Sequence, residues 1–315
     1  MTQPHNGRTD VVVIGGGPAG LSAAITLARA LRSVVVVDAG QPRNAPAAGV
    51  HGFLSRDGIS PAELLATGRE ELARYGGRVR SGSAVTARTR DDGFEVTLTD
   101  GEVIEARRLL VTTGLTDELP DVDGVKERFG RDVVHCPYCH GWEVRGKRIA
   151  VLASGPMGVH QALLFRQWTD DLVLLTHTTD QPAPEQAAQL AARGITVVAG
   201  VVDRLEIDDD QLRGVRLADG QLVACDAVAV GPRMVASSPV LDDLGLKPVA
   251  HPFGEAVGMT YPAEPTGATT VPGLWLAGNV TDLQAQVITA AAQGMAVAAA
   301  LNMELIMTET AAAAR

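Results

Sequence analysis

Val11 to Ile14 is an unbroken apolar run, and a glycine-rich turn, Gly15-Gly16-Gly17-Pro18-Ala19-Gly20, follows it at once. Leu21 to Leu31 then repeats apolar residues at helical spacing, and Val34 to Val37 is a second apolar run. Short continuous apolar runs mark strands covered on both faces. The order strand, glycine turn, helix, strand predicts one βαβ unit. The pattern returns further on. Arg148 to Leu152 reads as a strand, Ala153 to Gly158 as a turn of small residues, Val159 to Trp168 as a helix and Leu172 to Leu175 as a strand. Two such units predict an α/β protein with two nucleotide-binding-type domains.

Between them the pattern changes from continuous to alternating. Phe94 to Thr99, the turn Asp100-Gly101 and Val103 to Ala106 read as a hairpin. Arg213 to Leu217, Asp219-Gly220 and Leu222 to Ala224 repeat it. Leu109 to Gly114 and Ala227 to Gly231 are apolar strands that end in glycine. The stretches Gly114 to Gly124 and Gly231 to Pro239, rich in Gly, Pro, Asp and Ser, are candidate crossings between domains. One more strand, Gly273 to Ala277, precedes Gly278-Asn279 and a long terminal helix.

Length and charge narrow the picture. A chain of 315 residues has room for two ordinary domains. A net charge of −10 argues against nucleic acid and against an anionic membrane surface, since both reward a basic face. Met1 to Asp10 is polar and lacks the apolar core of a signal peptide. Val287 to Met307 is long and apolar, but it contains Gln293, Asn302 and Glu304, so a buried core helix is expected rather than a membrane span. Three cysteines, two of them three positions apart, do not make a secreted disulfide framework. A cytoplasmic protein is expected.

The glycine turns carry the first chemistry. In Gly15-x-Gly17-x-x-Gly20 the first glycine permits the tight turn, the second lets backbone approach a pyrophosphate, and the third lets helix and strand pack closely. Pro18 and Ala19 open the helix whose N–H groups meet the phosphates. Asp38 ends the second strand, where a carboxylate accepts a ribose hydroxyl. The turn binds the ADP half of a dinucleotide and does not by itself separate FAD from NAD. The second turn, Ala153-x-Gly155-x-x-Gly158, has alanine at its first position. His177-Thr178-Thr179 follows the next strand, with Asp180 near but not at its tip and no arginine cluster for a 2′-phosphate. Two readings stay open there: a working nicotinamide site, or a Rossmann-type domain that has lost it.

His135-Cys136-Pro137-Tyr138-Cys139-His140-Gly141 carries the rest. Cys-x-x-Cys spacing suits an exchangeable disulfide, and a histidine on each side can move a proton near neutral pH. Two cysteines and two histidines also make a literal zinc set. Adjacent residues such as His135 and Cys136 rarely both reach one tetrahedral ion, so the redox reading is preferred and no metal is expected. Cys225 lies in a strand-like run and reads as a buried inert thiol. His5, His160 and His251 are isolated and default to structural or exposed positions.

The first glycine turn, the Cys-Pro-Tyr-Cys in a second Rossmann-like domain and the ending Ala277-Gly278-Asn279-Val280-Thr281-Asp282 together resemble the low-molecular-weight thioredoxin reductases. The resemblance spans Val11 to about Leu305. It implies two three-layer Rossmann-like domains, the second inserted into the first: a FAD domain of residues 1–116 and 246–315, and an inserted NAD(P)H-type domain, 117–245, that carries the cysteines. It implies that Leu110 to Gly114, with Thr113 and Gly114, forms a second FAD segment, and that Gly278-Asn279 contacts the ribityl and phosphate region. His51, within Gly49 to Phe53, would line the flavin side. Gln286 and Val287, where the last helix begins, would turn backbone N–H groups toward the flavin.

Two departures from the reductases, His177-Thr178-Thr179 in place of an arginine-bearing signature and His140 in place of Asp, resemble the flavin dithiol oxidases that close the disulfides of gliotoxin, holomycin and romidepsin. That resemblance implies oxidation of a small-molecule dithiol, with O2 as acceptor and H2O2 as product, by a homodimer. Cys136 is then the interchange sulfur and Cys139 the one facing the flavin, with His140, helped by His135 or Asp282, deprotonating substrate thiols. The alternatives are an NADPH- or ferredoxin-dependent thioredoxin reductase and a non-catalytic flavin redox sensor.

Overall fold

The computed structural model describes residues 8–315; His5 and the other residues of 1–7 lie outside the described part. The chain opens with β1 (Thr9–Ile14), α1 (Pro18–Arg29), β2 (Val34–Asp38), α2 (Pro61–Arg74) and β3 (Arg78–Ser81), then a meander of β4 (Ala84–Arg90), β5 (Gly93–Leu98) and β6 (Val103–Val111). It crosses through β7 (Thr116–Glu118), α3 (Val125–Arg128), β8 (Val133–Val134) and α4 (Pro137–His140). The second βαβ unit is β9 (Ile149–Leu152), α5 (Gly158–Phe165) and β10 (Leu172–Leu175), followed by α6 (Pro184–Ala192) and β11 (Thr196–Val198). A second meander, β12 (Val202–Asp208), β13 (Gln211–Leu217) and β14 (Leu222–Ala224), leads to β15 (Ala227–Val230). The return runs through β16 (Arg233–Val235), α7 (Pro239–Asp243), β17 (Val249–Ala250) and β18 (Gly258–Thr260) to β19 (Leu274–Leu276), a 3₁₀ turn (Gly278–Val280) and α8 (Val287–Ala313).

The first sheet has the order β3-β2-β1-β6-β5-β4, with β19 also on β6. β1 pairs in parallel with β2 and β6, Val11 opposite Val34 and Arg108. The apolar stretches expected as two strands, Val103 to Ala106 and Leu109 to Gly114, form the single β6. One edge of β6 explains this: it takes β5 antiparallel in its first half and β19 parallel in its second. A strand from the end of the chain is thus built into the first sheet. The two faces are both buried. Val11 and Val13 point into a core shared with α1 and α8, and Val12 and Ile14 into the opposite one. This is why the run carries no polar residue.

The second sheet, β11-β10-β9-β15-β8, is parallel throughout. It has its own pair of cores, one around Phe165 and Leu190 and one around Leu175 and Cys225. Cys225 is fully buried and its thiol is pushed up to about 12 by burial, in keeping with an inert core position. The return was expected at residue 246. Met234, Ala236, Val240 and Leu241 already pack in the core with Val12, so the crossing falls nearer Gly231. Their apolar spacing is too short to be read as core from sequence.

Helix α8 is long and apolar enough, by length and composition, to cross a membrane. One side is buried on α1: Ala290, Gly294, Val297, Ala298, Leu301 and Leu305. Gly294 is needed there, because a Cβ would stand 2.0 Å from the Ala19 carbonyl oxygen. Its polar residues are anchored, Glu304 to Arg108 and Glu309 to Arg32, each at 2.6 Å. The opposite side is not the buried surface expected of a core helix: Ile288, Met295, Met303, Ile306 and Met307 are exposed.

Candidate active site

Three separated segments meet around the N-terminus of α1. Gly15 has φ +106°, and a Cβ on it would stand 2.5 Å from the Thr112 carbonyl oxygen. Thr112 fixes this contact, its hydroxyl donating to the carbonyls of Ile14 and Gly15. Gly20 lies over the same turn, where a Cβ would be 1.9 Å from the Gly15 oxygen. Gly278 closes the third side, its missing Cβ 2.9 Å from that of Ala19. Gln293 on α8 holds this segment by accepting from the Gly278 N–H at 3.2 Å. So Gly15 to Gly20, Thr112 to Gly114 and Gly278-Asn279 line one cleft.

The cleft fits the dinucleotide that the resemblance implies. Gly17 and Gly114 have no heavy atom within 4 Å of where a Cβ would stand, so open space faces the backbone there. Gly114 has φ +75°, and Thr113 beside it is exposed. Pro18 sits in the first turn of α1 above the Gly17 N-cap, and the first N–H groups point into the space. Asp38 is placed by the Gly16 N–H, 3.1 Å from its Oδ1. Its second oxygen, 3.8 Å from Arg69, remains an acceptor for a ribose hydroxyl. Asn279 turns its Nδ2 inward, donating to the carbonyls of Asp282 and Ala285 at 2.8 and 3.0 Å. It therefore shapes the approach to α8, and its Oδ1 is the atom left for a ligand.

The second turn keeps the shape of a cleft, about 490 Å³, but not its chemistry. Gly158 packs so closely on Ala153 that a Cβ would be 2.6 Å from the alanine's own. The Ser154 hydroxyl is spent on the Gly231 carbonyl at 3.0 Å. Among the lining residues, including Thr176, Thr178, Thr179, Gln181 and Gln186, the one charged group is the carboxylate of Asp180. His177 is left-handed, φ 49°, and its Nδ1 accepts the Val202 N–H at 3.0 Å. That nitrogen must stay unprotonated, and burial lowers its pKa in the same sense. The tip of the strand beside this cleft thus holds a neutral, structural histidine.

The cysteines sit on α4. Cys136 is its N-cap and Pro137 opens it, so Cys139 and His140 follow on one short turn, their N–H groups 3.1 and 3.0 Å from the Cys136 carbonyl. The Cys136 thiol is pushed down to about 7, first because Cys139 donates its S–H to it, with help from the Cys139 and Tyr138 N–H groups and the charge of Arg43. Cys139, holding that shared proton, is pushed up. Arg43 is fixed by a two-pronged pair with Asp117, both bonds 2.6 Å.

Burial pushes the pKa of both histidines down, so each is a neutral base at pH 7. His135 is oriented by the Val230 carbonyl, 3.3 Å from its Nδ1. Gln161 clamps the same place, donating to the His135 and Val230 carbonyls at 2.9 Å each. The Nδ1 of His140 is buried with no partner. Gln286, the N-cap of α8, brings its Nε2 to 4.0 Å from the Cys136 sulfur. Val287 is the first residue of that helix. The cysteine loop thus lies against the helix that borders the first cleft. Asp282 does not join it: its oxygens accept from Gln293 at 2.9 Å and from the Gln284 N–H at 3.1 Å, and neither bonds a histidine.

Several residues escaped the sequence reading. Arg43 and Asp117 lie in unpatterned loop and edge-strand sequence, 74 positions apart. Gln161 looks like any polar helix residue. Glu143 alone had a signal, three residues after His140 at helical spacing.

Residues 9–294 match the family model described as pyridine nucleotide-disulphide oxidoreductase. The thioredoxin reductase tcpT of Claviceps purpurea is 33% identical over 86% of this chain and 91% of its own. The thioredoxin reductase sirT of Leptosphaeria maculans is 29% identical over 96% of each. The crystal structure of HlmI superposes with a TM-score of 0.91 at 45% identity, over 100% of this chain and 98% of that one.

Proposed function

This chain belongs to the pyridine nucleotide-disulphide oxidoreductase family and binds FAD, and from that premise we propose that it oxidises a small-molecule dithiol to a cyclic disulfide through Cys136 and Cys139, with O2 as final acceptor. One observation carries the reading. The cysteine loop is docked against α8 beside the FAD cleft, whereas the second cleft offers a dinucleotide phosphate no cation. This contrast favours thiols over NADPH as the source of electrons.

Bound FAD supplies a two-electron acceptor that oxygen reoxidises, giving hydrogen peroxide. The chain's own residues do the rest. His140 takes the proton of a substrate thiol. The thiolate attacks Cys136 in the Cys136–Cys139 disulfide, giving a mixed disulfide and freeing Cys139. The second substrate thiol closes the ring and releases Cys136, whose thiol near 7 makes a good leaving group. His135, held by Gln161 and Val230, is the second base within the loop. Asn279 and Gln293 fix the turn that aims the first N–H groups of α8 at the cleft, favouring negative charge there. We place the enzyme in the cytoplasm as a homodimer, with the exposed methionine side of α8 as the surface a second copy covers.

A second reading, an NADPH-dependent thioredoxin reductase, is favoured by the shape that the second cleft retains. Anaerobic mixing of the yellow holoenzyme separates the two. Dithiothreitol should bleach the flavin, and air should restore it with one peroxide per turnover; NADPH and NADH should not bleach it. Fast bleaching by NADPH overturns the oxidase. Cys136→Ser should slow bleaching by dithiol about a thousandfold.

A further inference from the structure

We propose that His51 and Glu143 carry the substrate's proton from His140 to solvent, one residue supplied by each of the two bodies that meet at the cysteine loop. The proposal rests on the dithiol-oxidation reading. Balancing that half-reaction creates the need. The substrate loses two S–H bonds and gains an S–S bond. The enzyme disulfide breaks, takes two electrons and becomes one thiolate, Cys136, and one thiol, Cys139. One proton stays on Cys139, and the other must leave the site.

The Nδ1 of His140 is buried and unpartnered, so it has no direct way to water. Glu143 is three residues on, in the turns that follow α4, where the Gly141 N–H donates to Pro137 at 2.7 Å and the Val144 N–H to His140 at 3.3 Å. Its charge acts on the His140 ring. From the other body, His51 brings Nε2 to 3.5 Å from the Glu143 carboxylate and Nδ1 to 3.6 Å from Asp57. Asp57 is itself set by the Gly52 N–H at 2.9 Å. A Cβ on Gly52 would stand 3.9 Å from the Oε1 of Gln286, so this loop borders the residue that approaches the sulfur of Cys136. The route opens to solvent on both sides of His51: the histidine is 29% exposed, Glu143 44% and Asp57 71%. The titratable groups facing His51 are Asp57 from its own loop, and Glu143 and His140 from the cysteine loop. The charges of Glu143 and His51 act on His140 in opposite senses, the first raising its pKa and the second lowering it.

The test is anaerobic flavin bleaching by dithiothreitol across pH for wild type, His51→Gln and Glu143→Gln holoenzymes. Each variant should bleach about tenfold more slowly at pH 7, and added imidazole should restore the rate by replacing the relay. The His140 ring titration, followed by NMR, should move down in Glu143→Gln and up in His51→Gln, showing that both charges face the ring; rescue by imidazole is the readout that a mere clip between the bodies would not give. Should either variant lose its flavin, His51→Asn and Glu143→Ala carry the same comparison. Wild-type rates and pH profiles in the variants, or slow rates that imidazole leaves slow, overturn the relay alone. A wild type that dithiothreitol does not bleach sinks the oxidase reading and the relay with it.

Discussion

The turn at Gly15 to Gly20 and the turn at Ala153 to Gly158 are the same strand–turn–helix design, and they have opposite contents. At the first, backbone contacts from three distant segments press on the glycines, and Asp38 stands ready at the strand tip. At the second, the strands, helix and cleft survive, but alanine fills the first glycine position and His177 is locked to the Val202 N–H. The difference teaches that the βαβ frame is held by its apolar strands, while ligand choice rests on a handful of side chains that can be lost without unfolding it.

The sharpest way to break this comparison is to add one methyl group to each turn. In Gly20→Ala the new Cβ meets the Gly15 carbonyl at 1.9 Å, and the backbone beside the pyrophosphate must move. A strain of about 1–3 kcal/mol at the binding surface should cost FAD affinity about tenfold to hundredfold, and the protein should purify largely colourless. In Gly155→Ala the nearest heavy atom is the Ala256 oxygen at 4.0 Å, so the protein should stay yellow with unchanged bleaching by dithiol. Flavin content read from absorbance checks both. A colourless Gly155→Ala protein would show that the second turn still serves the cofactor.

Much of this contrast was legible in the chain. The βαβ units announce themselves because doubly covered strands admit no polar residue and the glycines must sit between strand and helix. The cysteine loop was legible because its chemistry is contiguous. What stayed hidden was everything assembled from afar. The pairing of Arg43 with Asp117, the Gln161 clamp and the approach of His51 to Glu143 depend on how two bodies meet, and no local period encodes that. Asp282 shows the reverse error: adjacency to Gly278-Asn279 suggested a catalytic base, but Gln293, one side of α8 further on, takes the carboxylate. The merged β6 misled for the same reason, since its two halves have different partners on one edge.

If the second body keeps its chemistry in the cysteine loop rather than its cleft, the thiols should report that loop's own geometry. Alkylation of reduced Cys136 by iodoacetamide should rise with pH to a plateau, with a midpoint near 7, because only the thiolate reacts. Cys139 should alkylate far more slowly, since its proton is the one shared. Cys139→Ala removes the donor that contributes most and should move the midpoint up. Arg43→Gln, the contribution from the first body, should move it up by less. Equal shifts would mean that the first body governs the thiolate as much as the loop does.

The smallest effects concern how each body starts its outer helix. In the first, Ser60 caps α2, its hydroxyl accepting the Glu63 N–H at 3.2 Å. In the second, α6 begins after Ala183, which has no side-chain acceptor; there the Gln186 side chain reaches back to the Ala183 N–H at 3.1 Å, so half of a capping box is present. Ser60→Ala should cost about 1 kcal/mol, and Ala183→Ser, by completing the box, should gain a similar or smaller amount. Thermal unfolding of the holoenzyme followed by flavin fluorescence and by far-UV circular dichroism would separate the bodies. Ser60→Ala should lower the temperature of flavin release, because α2 packs on α1 behind the first cleft. Ala183→Ser should leave flavin release where it is and raise only the circular dichroism transition, since α6 packs on α5 and β11 of the second body. If Ala183→Ser delays flavin release as well, the two bodies unfold as one unit, and the independence that the two turns display in chemistry does not extend to stability.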